Sequence, residues 1–109
     1  MSEISLAQFK EIELRTAKVL EVEEIPGADR LWRLLVDIGA DRKKQIVAGV
    51  KNFYTREALM GKTVILLNNL APSVIRGVES NGMLLAAKDA TALTLLTLDK
   101  ELPPGSVIG

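Results

Sequence analysis

One short helix signal interrupts a chain that otherwise reads as strands. It is "YTREALMG", residues 54–61. Thr55 suits the N-cap, Glu57 suits the positive N-terminal end, and Gly61 suits the C-terminal stop. Tyr54 and Leu59 stand at the two positions of a hydrophobic staple. Three strand-like segments precede this helix and more follow it. A chain of 109 residues with that order has few architectures open to it.

The first strand-like segment, "ELRTAKVLEVEE", follows a short helix expected over residues 6–11. Ser5 and Gln8 have capping-box spacing there, and Ile4 and Phe9 staple spacing. Within the strand the apolar phase switches: Ala17 and Val19 share one face, Leu20 and Val22 the other. Such a switch predicts a bulge or strong bend. "IPGAD" is a turn. In "LWRLLVDIG" the residues Trp32, Leu34, Val36 and Ile38 fall on one face, so Trp32 is expected in the core and Arg33 on the outer face. "ADRKK" connects to "QIVAGV", the antiparallel partner. "KTVILLNN" is a fourth strand, "MLLAAK" a fifth and "ALTLLTL" one more. "ELPPGSVIG" is a Pro turn with a short terminal strand. Residues 70–82 read as an irregular loop, and Leu84 to Ala87 as its anchor in the core. The chain reads as a single domain over 1–109. Its fold class is all-β, a five-stranded OB-fold Greek-key barrel with short helices and extra C-terminal strands. Other small barrels share part of this order.

Composition removes several functions. With no cysteine and no histidine, thiolate metal sites, disulfides and His-based catalysis are excluded. No catalytic constellation, metal site or cofactor motif remains. No apolar run reaches the ~18 residues of a membrane helix, and the N-terminus is not a signal peptide. The expectation is a cytoplasmic protein. The formal net charge is zero, yet the charge is segregated. Residues 1–29 hold three basic and seven acidic groups, residues 30–78 nine and three, and residues 79–109 two and four.

In an OB barrel, ligands sit on strands two and three between two loop frames. Here the frames are "EIPGADR" and "LAPSVIRGVESNG", and the basic middle of the chain maps onto the same region. Each candidate also has a structural role open to it. Lys43 and Lys44 can be solvated hairpin charges, and Arg76 can pair with Glu79. Gly77 and Gly82 can serve backbone geometry. Ser80 and Asn81 can be turn residues, and Met83 can be core.

The segments "FKEIELRTAKVLEVEEIPGADRL", "LLVDIG", "QIVAGV", "YTREALMGKTVILLNNLAP" and "IRGVESNGMLLAA" follow in an order that resembles the tRNA-binding domain of methionyl-tRNA synthetase C-termini, β subunits and free-standing tRNA-binding proteins. The most specific piece resembles R-G-x-x-S-x-G-M-L-L-A. The resemblance implies shape-directed tRNA binding that assists aminoacylation without catalysis. It also implies a homodimer joined through C-terminal strands and nearby segments, and a methionyl-tRNA synthetase catalytic subunit as a possible partner. By motif it implies RNA contacts for Lys18, Arg30, Arg76, Ser80 and Met83. Placement in the barrel adds Arg33, Lys44, Lys51 and Asn81. Three positions depart from the family pattern. Ala17 stands where Gly is usual, Ala71 where a Lys often precedes the Pro, and Trp32 where smaller residues are common. The alternative is a homodimeric export-chaperone-like module holding peptides in an apolar groove. General single-strand binding is disfavoured by a chain with only four aromatic residues. Whether the chain is a free-standing protein or an excised synthetase domain stays open at this point.

Overall fold

Ser5 caps the first helix in both directions. Its hydroxyl accepts from the Gln8 N–H at 3.1 Å, and the Gln8 side chain accepts from the Ser5 N–H at 2.8 Å. In the computed structural model, which describes residues 2–109, this helix (α1) covers Leu6–Lys10. The capping box holds without the expected staple, since Ile4 is 63% exposed.

The phase switch of the first strand is a bulge. Strand β1, Leu14–Glu24, pairs Val19 with Val36 and then Glu21 with Leu35, leaving Leu20 as the extra residue. The bulge lets Ala17, Val19 and Val22 all reach the core while Glu21 and Glu23 face outward. Strand β2, Trp32–Asp37, alternates between buried and half-buried positions, with Trp32, Leu34 and Val36 inside. The Trp32 indole N–H finds a partner in the Tyr54 carbonyl at 2.9 Å, which makes burial of its polar edge affordable. Strand β3, Lys43–Ala48, is antiparallel to β2. Helix α2, Arg56–Leu59, is capped by Thr55, and its Leu59 is fully buried.

Strand β4, Thr63–Leu67, pairs with the first half of β1, and β2 with the second half. Residues 70–82 are not an irregular loop. They hold a two-stranded hairpin, β5 (Ser73–Ile75) and β6 (Val78–Ser80). The expected fifth strand is likewise divided. Strand β7, Met83–Leu84, pairs with β4, whereas β8, Ala86–Lys88, pairs with β9, Leu93–Leu95. Ala86, Ala87 and Lys88 are exposed, so the expected core anchor over Leu84 to Ala87 reduces mainly to Leu84, which packs on the core. Strand β10, Val107–Ile108, adds to the outer end of β1.

The main sheet runs β3-β2-β1-β4-β7. It curls until the Asn81 N–H, just before β7, donates to the Gln45 carbonyl of β3 at 2.8 Å. The result is a mostly β, OB-like curled antiparallel sheet. Leu34, Ile46, Leu59 and Leu66 are fully buried inside it, each contributing about 1.5–3 kcal/mol relative to exposure. Among the described residues, no helix is long and apolar enough to cross a membrane.

Candidate nucleic-acid interface

The sequence Ile25-Pro26-Gly27-Ala28 forms a tight turn closed by the Ala28 N–H on the Ile25 carbonyl at 3.0 Å. Pro fits the second position and Gly, with φ +77°, the third. The turn drives Ile25 and Ala28 against Val47 on the outer side of β3, where Leu31, Ile75 and Val78 join them. This is a second, small core outside the barrel. It joins the β1–β2 loop to the β5–β6 hairpin, the two frames expected to flank a ligand.

The hairpin turns at Arg76 and Gly77, with φ of +54° and +79°. Two consecutive positive φ values between the paired residues Ile75 and Val78 make a two-residue turn of the primed kind. A non-glycine residue in that region is uncommon and costs about 1–2 kcal/mol. Arg76 is thus held at the tip against local preference, with its side chain exposed. Arg76 and Arg30 line one open depression of about 310 Å³, together with Gly27, Ala28, Asp29 and Leu31. Asp29 contributes the one acidic residue of this lining.

The other expected contacts divide among four environments. Lys51 is adjacent to Arg30 through its backbone, its N–H donating to the Arg30 carbonyl at 3.3 Å. Its ammonium turns away, 3.2 Å from Glu24 and 4.9 Å from the centre of the Trp32 ring. Arg33 lies on the outer face, as alternation required. Its Nε donates to the Gln45 side chain at 2.8 Å, and its Nη1 sits 3.4 Å from Glu23 and 3.6 Å from Glu21. That Nη1 is buried and makes no hydrogen bond, so Arg33 presents no free fork there to a phosphate.

Lys18 and Lys44 belong to the far end of β2. Lys18 pairs across from Asp37, and Lys44 from Val36. Lys44 shares the inward phase of Ile46 and donates to the Asn68 carbonyl at 2.7 Å, which corrects its expected placement on the binding face. Near it, Glu13 accepts from the Asn68 amide at 2.9 Å and from Arg15 at 3.2 Å. These bonds hold its carboxyl below the usual range.

Ser80 is only 2% exposed. Its hydroxyl accepts from the Val47 N–H at 2.9 Å and lies 3.3 Å from the Gly82 carbonyl, to which it donates. The expectation that Ser80 faces RNA is therefore corrected: it pins the hairpin to β3. Asn81 is half-buried, and its backbone closes the barrel. Met83 is 47% exposed and paired with Leu67, so it is not core. Gly82 has φ +135°, and a Cβ there would lie 2.9 Å from the Leu67 carbonyl oxygen.

With that geometry in place, comparison with known proteins is decisive. The family model described as "Putative tRNA binding domain" matches residues 14–107. The chain belongs to this tRNA-binding domain family. Among curated relatives, the methionine–tRNA ligase of Methanococcus maripaludis is 47% identical over 108 residues, covering 99% of this chain and 16% of that protein. The ligase of Thermotoga maritima is 46% identical over 105 residues, 96% of this chain and 16% of that protein. The chain thus spans about 16% of the length of these relatives. Among solved structures, a methionyl-tRNA-synthetase-related protein from Pyrococcus horikoshii superposes with a TM-score of 0.92 at 30% identity, covering all of both chains. The chaperone CsaA from Bacillus anthracis superposes with a TM-score of 0.88 at 28% identity, covering 99% of this chain and all of that one.

The family match includes both loop frames and the small core that joins them. The sequence pattern did not single out Glu21, Glu23 and Gln45, which surround Arg33. Their outward phase after the bulge, and the phase of Gln45 with Val47, were the available signals.

Proposed function

We propose that the chain binds tRNA by its folded shape and assists aminoacylation without catalysing it. The convergence of Arg30 and Arg76 carries the reading. Two loops distant in sequence bring cations to one rigid rim, in a family described by tRNA binding. Shape-directed RNA recognition works through phosphates and 2′-hydroxyls, and such a rim can supply those contacts. Arg30 and Arg76 contact phosphate, Lys51, paired with Glu24, adds attraction at a distance, and exposed Met83 gives apolar contact. Lys18 adds long-range attraction. The chain acts as one binding unit in the cytoplasm, with a methionyl-tRNA synthetase catalytic part as its partner.

Two copies acting together would strengthen a weak patch. A homodimer is supported by the groove of about 420 Å³ at α1 and β10, whose lining includes Leu6, Phe9, Ile12, Val107 and Ile108. Leu6 and Val107 are 67% and 73% exposed, and a second copy would cover them.

Filter binding of unfractionated tRNA tests the reading. Binding should be measurable at low salt and fall as salt rises. Arg76→Ala should weaken all tRNA species alike. No binding at low salt by a confirmed dimer sinks the proposal. The second reading, a peptide-holding module, is favoured by the likeness to CsaA chaperones and by the same apolar groove. It expects salt-resistant peptide binding instead.

A further inference from the structure

Gln45 occupies a position that only its own side chain satisfies. Its Oε1 accepts from Arg33 Nε at 2.8 Å, and its Nε2 donates to the Glu79 carbonyl at 2.9 Å. The orientation of the amide is fixed by its partners, because arginine only donates and a carbonyl only accepts. Glu in this place would lose the donor, and Lys the acceptor. Asn carries both groups on a side chain one methylene shorter. The bridge continues beyond Arg33 to Glu21 and Glu23 of β1. On its other side it reaches β6, whose Glu79 is three residues from Arg76. Thus one chain of polar contacts runs from the bulged strand, across β2 and β3, to the hairpin that carries the exposed arginine.

We propose that Gln45 is a positioning residue for RNA binding: it sets where the Arg76 tip stands relative to Arg30, and it does so without touching RNA. The inference rests on the tRNA reading above. Arg33 is its buttress. The two carboxylates beside Arg33 keep that guanidinium turned to the protein, so the outer sheet face braces the hairpin and the rim carries the cations. The satellite core of Ile25, Ala28 and Val47 packs on Ile75 and Val78 beside the turn, Ser80 pins the base of the second strand to β3, and Gln45 bonds that strand between them at Glu79. Loss of the amide bridge leaves the core intact and loosens the tip.

The test compares the full chain with Gln45→Met, Arg76→Ala and the double variant, in equilibrium binding to unfractionated tRNA. A residue that acts through Arg76 matters only while Arg76 is present. Gln45→Met should weaken binding about 3- to 10-fold alone and less than about 2-fold in the Arg76→Ala background. NMR should show a lower order parameter at the Gly77 amide in Gln45→Met, with the melting temperature shifted by only a few degrees. Gln45→Asn should behave like Gln45→Met, and it replaces that variant if Gln45→Met fails to fold. Equal losses in both backgrounds, or unchanged affinity beside a weakened Arg76→Ala, overturn the inference while leaving tRNA binding in place. If the parent chain binds no tRNA, the functional reading falls, and the Gly77 order parameter still decides whether Gln45 holds the tip.

Discussion

Gly82 and Gly77 both stand in the R-G-x-x-S-x-G stretch and both have positive φ, yet alanine should treat them very differently. At Gly82 the φ of +135° lies where only glycine is comfortable, at a cost of about 1–3 kcal/mol for another residue. Space is lacking as well. A Cβ would sit 2.9 Å from the Leu67 carbonyl oxygen, 3.0 Å from Leu66 Cδ1 and 3.3 Å from Ile46 Cδ1. The first neighbour is backbone of β4 and cannot swing aside. Overpacking of this sort adds about 1–3 kcal/mol, so Gly82→Ala should lose about 2–6 kcal/mol. In a domain of this size each kcal/mol moves the melting temperature by about 4–8 °C, so the fall should be at least about 8 °C. At Gly77 the φ is +79° and nothing lies within 4 Å of a Cβ. Only the left-handed backbone cost of about 1–2 kcal/mol applies, offset in part by about 0.4–1 kcal/mol from the stiffer unfolded chain. Gly77→Ala should then cost about 0–1.6 kcal/mol. Thermal unfolding followed by circular dichroism separates the two. Melting temperatures for Gly82→Ala and Gly77→Ala that agree within a few degrees would refute the packing argument.

Ser80→Ala should cost about 1–3 kcal/mol, because it leaves the Val47 N–H without its partner in a buried place; amide exchange at Val47 that stays slow would count against the pin. Glu13 is held more acidic in the fold than when unfolded, so its bonds to Asn68 and Arg15 stabilise the chain above the ordinary carboxylate range and are lost as pH falls through the folded value. A melting-temperature profile from about pH 6 to 3 should therefore be flatter for Glu13→Gln than for the parent, and parallel profiles would remove Glu13 from the account. Leu6→Asp combined with Val107→Asp should shift sedimentation toward a monomer, since a carboxylate on an apolar face opposes burial. A dimer that survives both changes does not use this groove.

The barrel strands were legible because alternation in 31–39 and the phase switch at 19–20 map directly onto burial. The capping box of α1 was legible because it is a local pattern. The β5–β6 hairpin was not, because Arg-Gly is a weaker turn signal than Asn-Gly, and Pro72, Asn81 and Gly82 made the whole stretch resemble loop. Val74 and Ile75 before the turn and Val78 after it were the strand signal available. At the site, the meeting of the two loop frames followed from the order of the strands. The fates of the individual cations did not. Lys44 shares its phase with Ile46, which placed it inward, but side-chain length let it end on the Asn68 carbonyl. The burial of Ser80 depends on how closely β6 approaches β3, a tertiary distance that no local pattern encodes.

Leu20 has a consequence for how the barrel is shaped. If it were deleted, Val19, Glu21, Val22 and Glu23 would still alternate inward and outward in the right phase. The extra residue is therefore redundant for hydrophobic patterning, and what it supplies is curvature. Just before it β1 pairs with β4, and beyond it β1 pairs with β2 alone. A single inserted residue thus bends the strand close to where its pairing passes from β4 to β2, and lets one strand serve as two.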